Sequence, residues 1–502
     1  MQALHPCKVY VHDPFATRGW PAAPGIRNWP LNKYSQEHWL ERAMAAHAWR
    51  VASAHEADLV LVLSNFSLYC TAHRAYTMKF VWHSLFNDST LCDGATTGLD
   101  LIRTRGDPSC RVRTPPQMLV YTNTECTAPW VGWSSGTGPP SRPRPETLFI
   151  TDRVAPHKAS ALRRSIVSPA VVAGPDFLVA ERPTSPDAPV AWEQRRLAFF
   201  AGHVPRPGVS VLRYRTWQQL RGASDTTCIS HNLNCTVGLY APCAIADEAE
   251  RAAAVTRLCA QPCTCVNMPC KLHQFCTMPQ VGQPVPRPAK SLRRTCKGYR
   301  GIDFEAERAD MARDTRWISQ REYFGHAMTH RFCFAVPGDY WSTTKLSDYI
   351  AVGGAGGCIP VIAVPSSARG SLPYADTLDY CAFAYLVSYS AIEKHQLGRV
   401  LARLRQVTAA EASAKFEALR HVRSHFIWRA RSPGGEPTAA DHLLSAACDL
   451  ARANVNMTAA TLAAEKARSK QQPPQHAAAR PDGAFDMAAA GILRPGSSCL
   501  LG

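Results

Sequence analysis

Ser342, Thr343, Thr344 and Lys345 stand together between two apolar runs, Phe332 to Val336 and Ile359 to Val364. Hydroxyls, backbone N–H groups and an ammonium at the start of a helix suit one chemistry above others, the holding of a phosphate. A helix start presents unpaired N–H groups and a partial positive charge, so an anion placed there is stabilised. Asp348 falls three residues beyond Lys345, on the same helix face. It either binds sugar hydroxyls of a ligand or pairs with Lys345. Arg213, after the apolar run Leu197 to Ala201, is a second phosphate-binding candidate. Gly202 and His203 end that run, where a glycine lets a ligand approach the backbone. If the reaction transfers a group to a hydroxyl, a base is also needed. Asp152 and Asp13, each after an apolar run, are the two candidates.

The elements that must position these residues read as alternating strands and helices. Buried strands are predicted at Lys8–Val11, Leu59–Leu63, Leu148–Ile150, Ala198–Ala201, Phe332–Val336 and Ile359–Val364, each a short apolar run. Pro337-Gly338 ends the fifth of them. A helix is predicted over Gln36–Ala52, with Trp39, Leu40, Ala43, Met44 and Val51 at helical spacing. Another is predicted over Ala409–Arg429. Such alternation predicts parallel, doubly wound sheets, whose ligands bind at the carboxyl ends of the strands. The polar, Pro-rich stretch 181–191 reads as a linker. The division that follows is residues 8–180, residues 195–430 with a Cys-rich insertion at about 220–300, and a helix with a disordered tail over 431–502.

Five ordered pieces of the chain resemble the exostosin-like family of glycosyltransferases. The main one is Phe332-Cys333-Phe334, Pro337-Gly338-Asp339, Ser342–Thr344, Lys345-Leu346, Asp348 and Gly357-Cys358-Ile359-Pro360-Val361. The others are Lys8–Asp13, Glu56–Val62, Arg196–Gly202, and Leu372-Pro373-Tyr374 with Leu378-Asp379-Tyr380. Lys345 stands where the family usually has Arg, and a lysine meets phosphate as a point charge without the bidentate fork. Val352–Gly356 lengthens the step to Gly357 by about four residues relative to the family, and the family's central histidines have no match near Asp152.

The resemblance implies an α/β protein of two Rossmann-like domains facing a cleft (GT-B type). It implies transfer of a sugar from a nucleotide-sugar donor to a glycan or glycoprotein acceptor, with inversion and without a metal cofactor. No metal ligands are assigned, and the nucleotide sugar is a co-substrate rather than a cofactor. Gly202, His203, Arg213, Ser342, Thr343, Thr344, Lys345 and Asp348 would meet the donor, and Asp152 or Asp13 would act as base. The family works in the Golgi lumen, mostly anchored by an N-terminal span, so membrane association is expected only through a missing anchor or a partner. The alternative is a non-catalytic, disulfide-rich lumenal or cell-surface protein that binds glycans or proteins on a degenerate transferase scaffold.

Composition narrows the field further. The formal net charge is +17, yet basic residues are dispersed with no block of five or more, which argues against a nucleic-acid partner. The charge gives either a generally basic surface or an attraction to anionic substrates. Of 19 cysteines, eight fall between Cys228 and Cys276, a density that means disulfides in an oxidising compartment or bound metal in a reducing one. Disulfides are the expectation here, because Cys263-Thr264-Cys265 is too tight for a zinc knuckle and the resembled family is lumenal. Asn65, Asn87, Asn234 and Asn456 open N-glycosylation triplets.

Overall fold

A computed structural model describes residues 4–13, 35–53, 56–63, 68, 117–122, 147–151, 165–172, 190–202, 211–230, 242–243, 245–260, 276–277, 285–286, 306–337, 343–365, 372–429, 435–455 and 499–501. The chain divides into two compact units. Unit 1 comprises residues 1–184, 366–383 and 416–497, and unit 2 comprises 185–365, 384–415 and 498–502.

Unit 1 holds five parallel strands in sequence order: β1 (Val9–His12), β2 (Leu59–Val62), β3 (Gln117–Thr122), β4 (Thr147–Thr151) and β5 (Ser165–Val167). Right-handed crossovers that always step the same way fall on one face of a sheet. The doubly wound order expected for this half is therefore absent among the described strands. The helix expected over Gln36–Ala52 stops at Met44. Residues 49–51 instead run beside the free edge of β1, with Val9 N–H donating to the Trp49 carbonyl at 2.8 Å and Val51 N–H to the Val9 carbonyl at 3.0 Å. His47 turns inward to Asp441, Nε2 to Oδ1 3.0 Å, with both side chains fully buried.

That contact corrects the domain boundaries. The helix Ala439–Val455, read from sequence as lying beyond both domains, belongs to the core of unit 1. Leu443, Leu444, Ala447 and Cys448 on it are completely buried. A disulfide joins Cys448 to Cys7, and His5 N–H donates to Ser445 Oγ at 2.8 Å. Trp428 Nε1–H donates to the Pro169 carbonyl at 3.0 Å. The Leu372–Tyr374 and Leu378–Tyr380 pieces also lie in unit 1. The tail called disordered lies mostly outside the described residues, but its last described residues form a strand of unit 2.

Unit 2 carries six parallel strands, β6 (Arg196–Ala201), β7 (Thr226–Ile229), β10 (His330–Ala335), β11 (Ile359–Val364), β12 (Tyr385–Ser388) and β13 (Leu500–Leu501). A separate antiparallel pair, β8 (Cys276–Thr277) and β9 (Val285–Pro286), lies between β7 and β10 in the chain. The sheet order is β13-β12-β11-β10-β6-β7. The chain steps from β6 outward to β7, returns across β6 to β10, and then advances in the opposite direction. This is a doubly wound, Rossmann-like order with its reversal between β6 and β10, and a ligand crevice is expected at the carboxyl ends of those two strands. The strands read as continuous apolar runs because both faces are covered: every residue of β11 and β12 is buried, and only the first residue of β6 is exposed.

Candidate functional site at the strand reversal of unit 2

Gly202 follows β6 and Val336 follows β10, so both stand at the reversal. The helix Val211–Leu220, the next described element after β6, brings Arg213 to the reversal. Arg213 Nε–H donates to the Val336 carbonyl at 3.1 Å, and a second guanidinium nitrogen lies 3.5 Å from Thr343 Oγ1. Residues on and beside Arg213's own side of that helix are fixed. Trp217 Nε1–H donates to Asp314 Oδ2 at 2.9 Å, and Gln218 Nε2–H donates to Glu307 Oε1 at 2.6 Å. Tyr214 donates to the other Glu307 oxygen. Burial, and then this bond to Glu307, holds the Tyr214 hydroxyl far above its ordinary range. A helix anchored by buried Tyr214 and Trp217 presents Arg213 in one place.

Gly202 is tight against Phe200. A Cβ there would lie 3.3 Å from Phe200 Cζ and 3.6 Å from Arg213 Cδ.

Thr343 is the N-cap of the helix Thr344–Gly354, and its hydroxyl accepts from Lys345 N–H at 3.4 Å. The helix starts where the sequence predicts and runs on through Val352, Gly353 and Gly354. The glycine stretch is thus mostly helix. Gly356, at φ +91°, supplies the left-handed residue that closes it. Arg195 then clamps the exit, donating to the Gly357 and Gly356 carbonyls at 2.8 and 2.9 Å.

Lys345 and Asp348 are joined through a residue that the sequence reading missed. Tyr323, on the helix Gln320–Thr329, lies under the Lys345 ammonium, 3.7 Å from Nζ to the ring centroid. Its hydroxyl donates to Asp348 Oδ2 at 3.3 Å. Asp348 is only 2% exposed, so its carboxylate sits inside the unit rather than on the open crevice. Burial, then the neighbouring Tyr349 and Asp348, push the Tyr323 hydroxyl well above its ordinary value and keep it a proton donor. Tyr349 is fully buried beside Tyr323, with ring centroids 5.9 Å apart. No local pattern marks Tyr323. It lies 22 residues before Lys345 in an ordinary amphipathic helix, and only the tertiary fold brings it there.

The structure therefore brings Gly202, Arg213, Thr343 and Thr344 together, with Lys345 in the first turn of the helix and Asp348 in the next. His203, Ser342 and Asp152 lie outside the described residues. Asp13 follows β1 in unit 1, half-buried. Burial, and then its negative charge, raise the Glu41 carboxyl above its ordinary value, so a carboxylate pair occupies the end of β1. Glu41 was not singled out from sequence because it reads as one more polar position of an amphipathic helix.

The Cys-rich insertion is described in part. Cys243 and Cys259 are disulfide-bonded. Cys228 is not part of the staple. It is a free thiol on β7, 8% exposed, and burial pushes its pKa up so that it stays a neutral apolar residue. Cys333 and Cys358 form a disulfide between β10 and the residue preceding β11. The four N-glycosylation triplets begin outside the described residues. Among the described residues no cluster of three or more His, Cys, Asp or Glu side chains could hold a metal ion, and no helix is long and apolar enough to cross a membrane. No protein-family model matches the chain, and no curated protein matches it.

Proposed function

We propose that the chain is a glycosyltransferase of the exostosin-like kind, with unit 2 holding the diphosphate of a nucleotide-sugar donor. The observation that carries this reading is the bridge from Arg213 to the Val336 carbonyl and the Thr343 cap, at the reversal between β6 and β10. A cation held against a helix N-terminus, beside a glycine at a strand end, is the arrangement that stabilises a departing diphosphate. Transfer breaks the bond between the sugar's anomeric carbon and the diphosphate oxygen. Negative charge grows on that oxygen, and Arg213, Lys345 and the first N–H groups of the helix Thr344–Gly354 offset it.

The acceptor's hydroxyl must lose its proton as it attacks. In this reading the base is a carboxylate of unit 1, either Asp152 or Asp13, and the raised Glu41 beside Asp13 adds to the candidates. A single displacement inverts the anomeric centre. A GT-B-type pairing of unit 2 with the sequentially ordered sheet of unit 1, and an acceptor that is a glycan or glycoprotein, belong to the same proposal. The disulfides Cys7–Cys448 and Cys333–Cys358 support folding in an oxidising compartment, in keeping with the Golgi lumen.

Thermal stabilisation by nucleoside diphosphates tests the reading, because a ligand that binds only the folded chain raises its melting temperature. Stabilisation by at least one of ADP, GDP, UDP or CDP, lost in Arg213→Ala, is expected. Indifference to all four would favour the alternative, a non-catalytic glycan- or protein-binding scaffold.

A further inference from the structure

We infer that Tyr323 is a positioning residue for the Lys345 ammonium, held in place for that purpose by its hydrogen bond to the buried Asp348. The inference rests on the transferase reading above and adds to it a residue that makes no contact with the donor.

The geometry has two halves. Lys345 and Asp348 are three residues apart on one helix, and Tyr323 reaches them both from a neighbouring helix. The ring face lies 3.7 Å from Lys345 Nζ, a cation–π distance. The hydroxyl donates to Asp348 Oδ2 at 3.3 Å. A ring free to tilt would offer the ammonium a moving surface. Anchored at its far end, it offers a fixed one. Packing completes the restraint: the Tyr323 ring centroid is 5.9 Å from Phe199 and 5.9 Å from Tyr349, and Tyr323 is 6% exposed.

The chemical reason lies in the type of cation. An arginine is planar and meets an oxyanion with a preformed fork. A lysine is a point charge on a four-carbon stem with many rotamers. Ordering that stem on ligand binding opposes affinity. A lysine already seated on an aromatic face at the first turn of the anion-binding helix has lost much of that freedom before the ligand arrives. The lysine at this position and its tyrosine seat thus act as a pair, with Asp348 as the support of the seat and not a donor-binding group.

A double-mutant cycle on the full chain tests this, with calorimetric titration of ADP, GDP, UDP and CDP and melting temperature recorded for each variant. Tyr323→Leu should weaken diphosphate binding about three- to tenfold, the range expected when one long side chain must be ordered on binding. Tyr323→Phe, which keeps the ring and loses the anchor, should fall between wild type and Tyr323→Leu. Tyr323→Leu combined with Lys345→Ala should bind no worse than Lys345→Ala alone, because a seat without its lysine has nothing to place. Should Tyr323→Leu fold poorly, Tyr323→Phe paired with Lys345→Ala gives the same cycle. Losses that add in the double variant, or diphosphate affinity that Lys345→Ala reduces and Tyr323 variants leave unchanged, would overturn the positioning role while leaving the transferase reading intact. Failure of wild type to bind any of the four would overturn both.

Discussion

Arg213 donates to the Val336 carbonyl at 3.1 Å and so ties the helix after β6 to the carboxyl end of β10. The bond spans the point where the strand order reverses. Arg213→Ala should therefore act twice. It should lower stability by about 1–2 kcal/mol through loss of a charge-assisted hydrogen bond to a backbone acceptor. It should also weaken nucleoside diphosphate binding at least tenfold. Arg213→Lys retains the charge but not the fork and should be intermediate in both. Urea unfolding and calorimetric titration measure the two effects separately. Unchanged binding in Arg213→Ala would remove this arginine from the donor site.

Gly357 has no room for a side chain. A Cβ there would stand 2.2 Å from Val352 Cγ1 and 3.0 Å from both Met328 Sδ and the Val352 carbonyl oxygen. Gly357→Ala should destabilise unit 2 by about 1–3 kcal/mol, the usual cost of overpacking. Gly222, whose Cβ would meet nothing within 4 Å, is the control. Equal unfolding midpoints for Gly357→Ala and Gly222→Ala would contradict the packing described.

The Cys333–Cys358 disulfide closes a loop that contains the Thr343 cap, Lys345 and the whole helix Thr344–Gly354. Its two residues are 25 apart, for which loop closure predicts about 3 kcal/mol of stabilisation. The Cys333→Ser, Cys358→Ser double variant should lose roughly that much by urea unfolding. Both sulfurs are buried, with residue exposure of 0%, so mild reductant should leave the folded protein intact. Recovery of both residues as free thiols from non-reduced, natively folded protein would refute the bond.

Acid should weaken unit 1. His425 and His442 are stacked with ring centroids 3.4 Å apart. Burial, then the neighbouring His442, lowers His425 to about 3, and burial lowers His442 to about 4. Both lie below the ordinary imidazole value, so the unfolded chain takes up protons first as pH falls. Stability is full above about pH 6.5 and is lost as pH drops from there toward about 3. His442 Nε2 lies 3.1 Å from Ser424 Oγ. Melting temperature should fall steadily between pH 7 and pH 4.5, and His425→Phe, which retains a stacked ring, should flatten the slope. A melting temperature constant over that range would contradict the burial of this pair.

How much of this was legible in the sequence depended on distance along the chain. β2, β6, β10 and β11 were visible because strands buried on both faces are continuous apolar runs with sharp ends, and β1, only partly buried, as a short apolar run. The Thr343 cap and the start of its helix were visible because capping is a local signal. The helix Gln36–Met44 was read eight residues too long, since Val51 keeps the helical spacing while its backbone pairs with Val9. What pairs across hundreds of residues could not be seen. Cys7 with Cys448, His47 with Asp441 and β12 with β13 leave no local trace, so the last helix and strand were placed outside both domains. In the candidate site the same limit hid Tyr323, while Arg213 and Gly202 were found because they end or follow an apolar strand.

Hydrogen exchange with and without a nucleoside diphosphate tests the central claim most directly, since it maps where the donor sits without assuming the sugar or the acceptor. The account predicts slowed exchange in unit 2 at two places, the end of β6 with the start of the helix Val211–Leu220, and residues 343–350. Arg213→Ala should abolish it at both. Protection confined to residues 8–180, with residues 343–350 unchanged, would contradict the assignment of the donor to the strand reversal of unit 2.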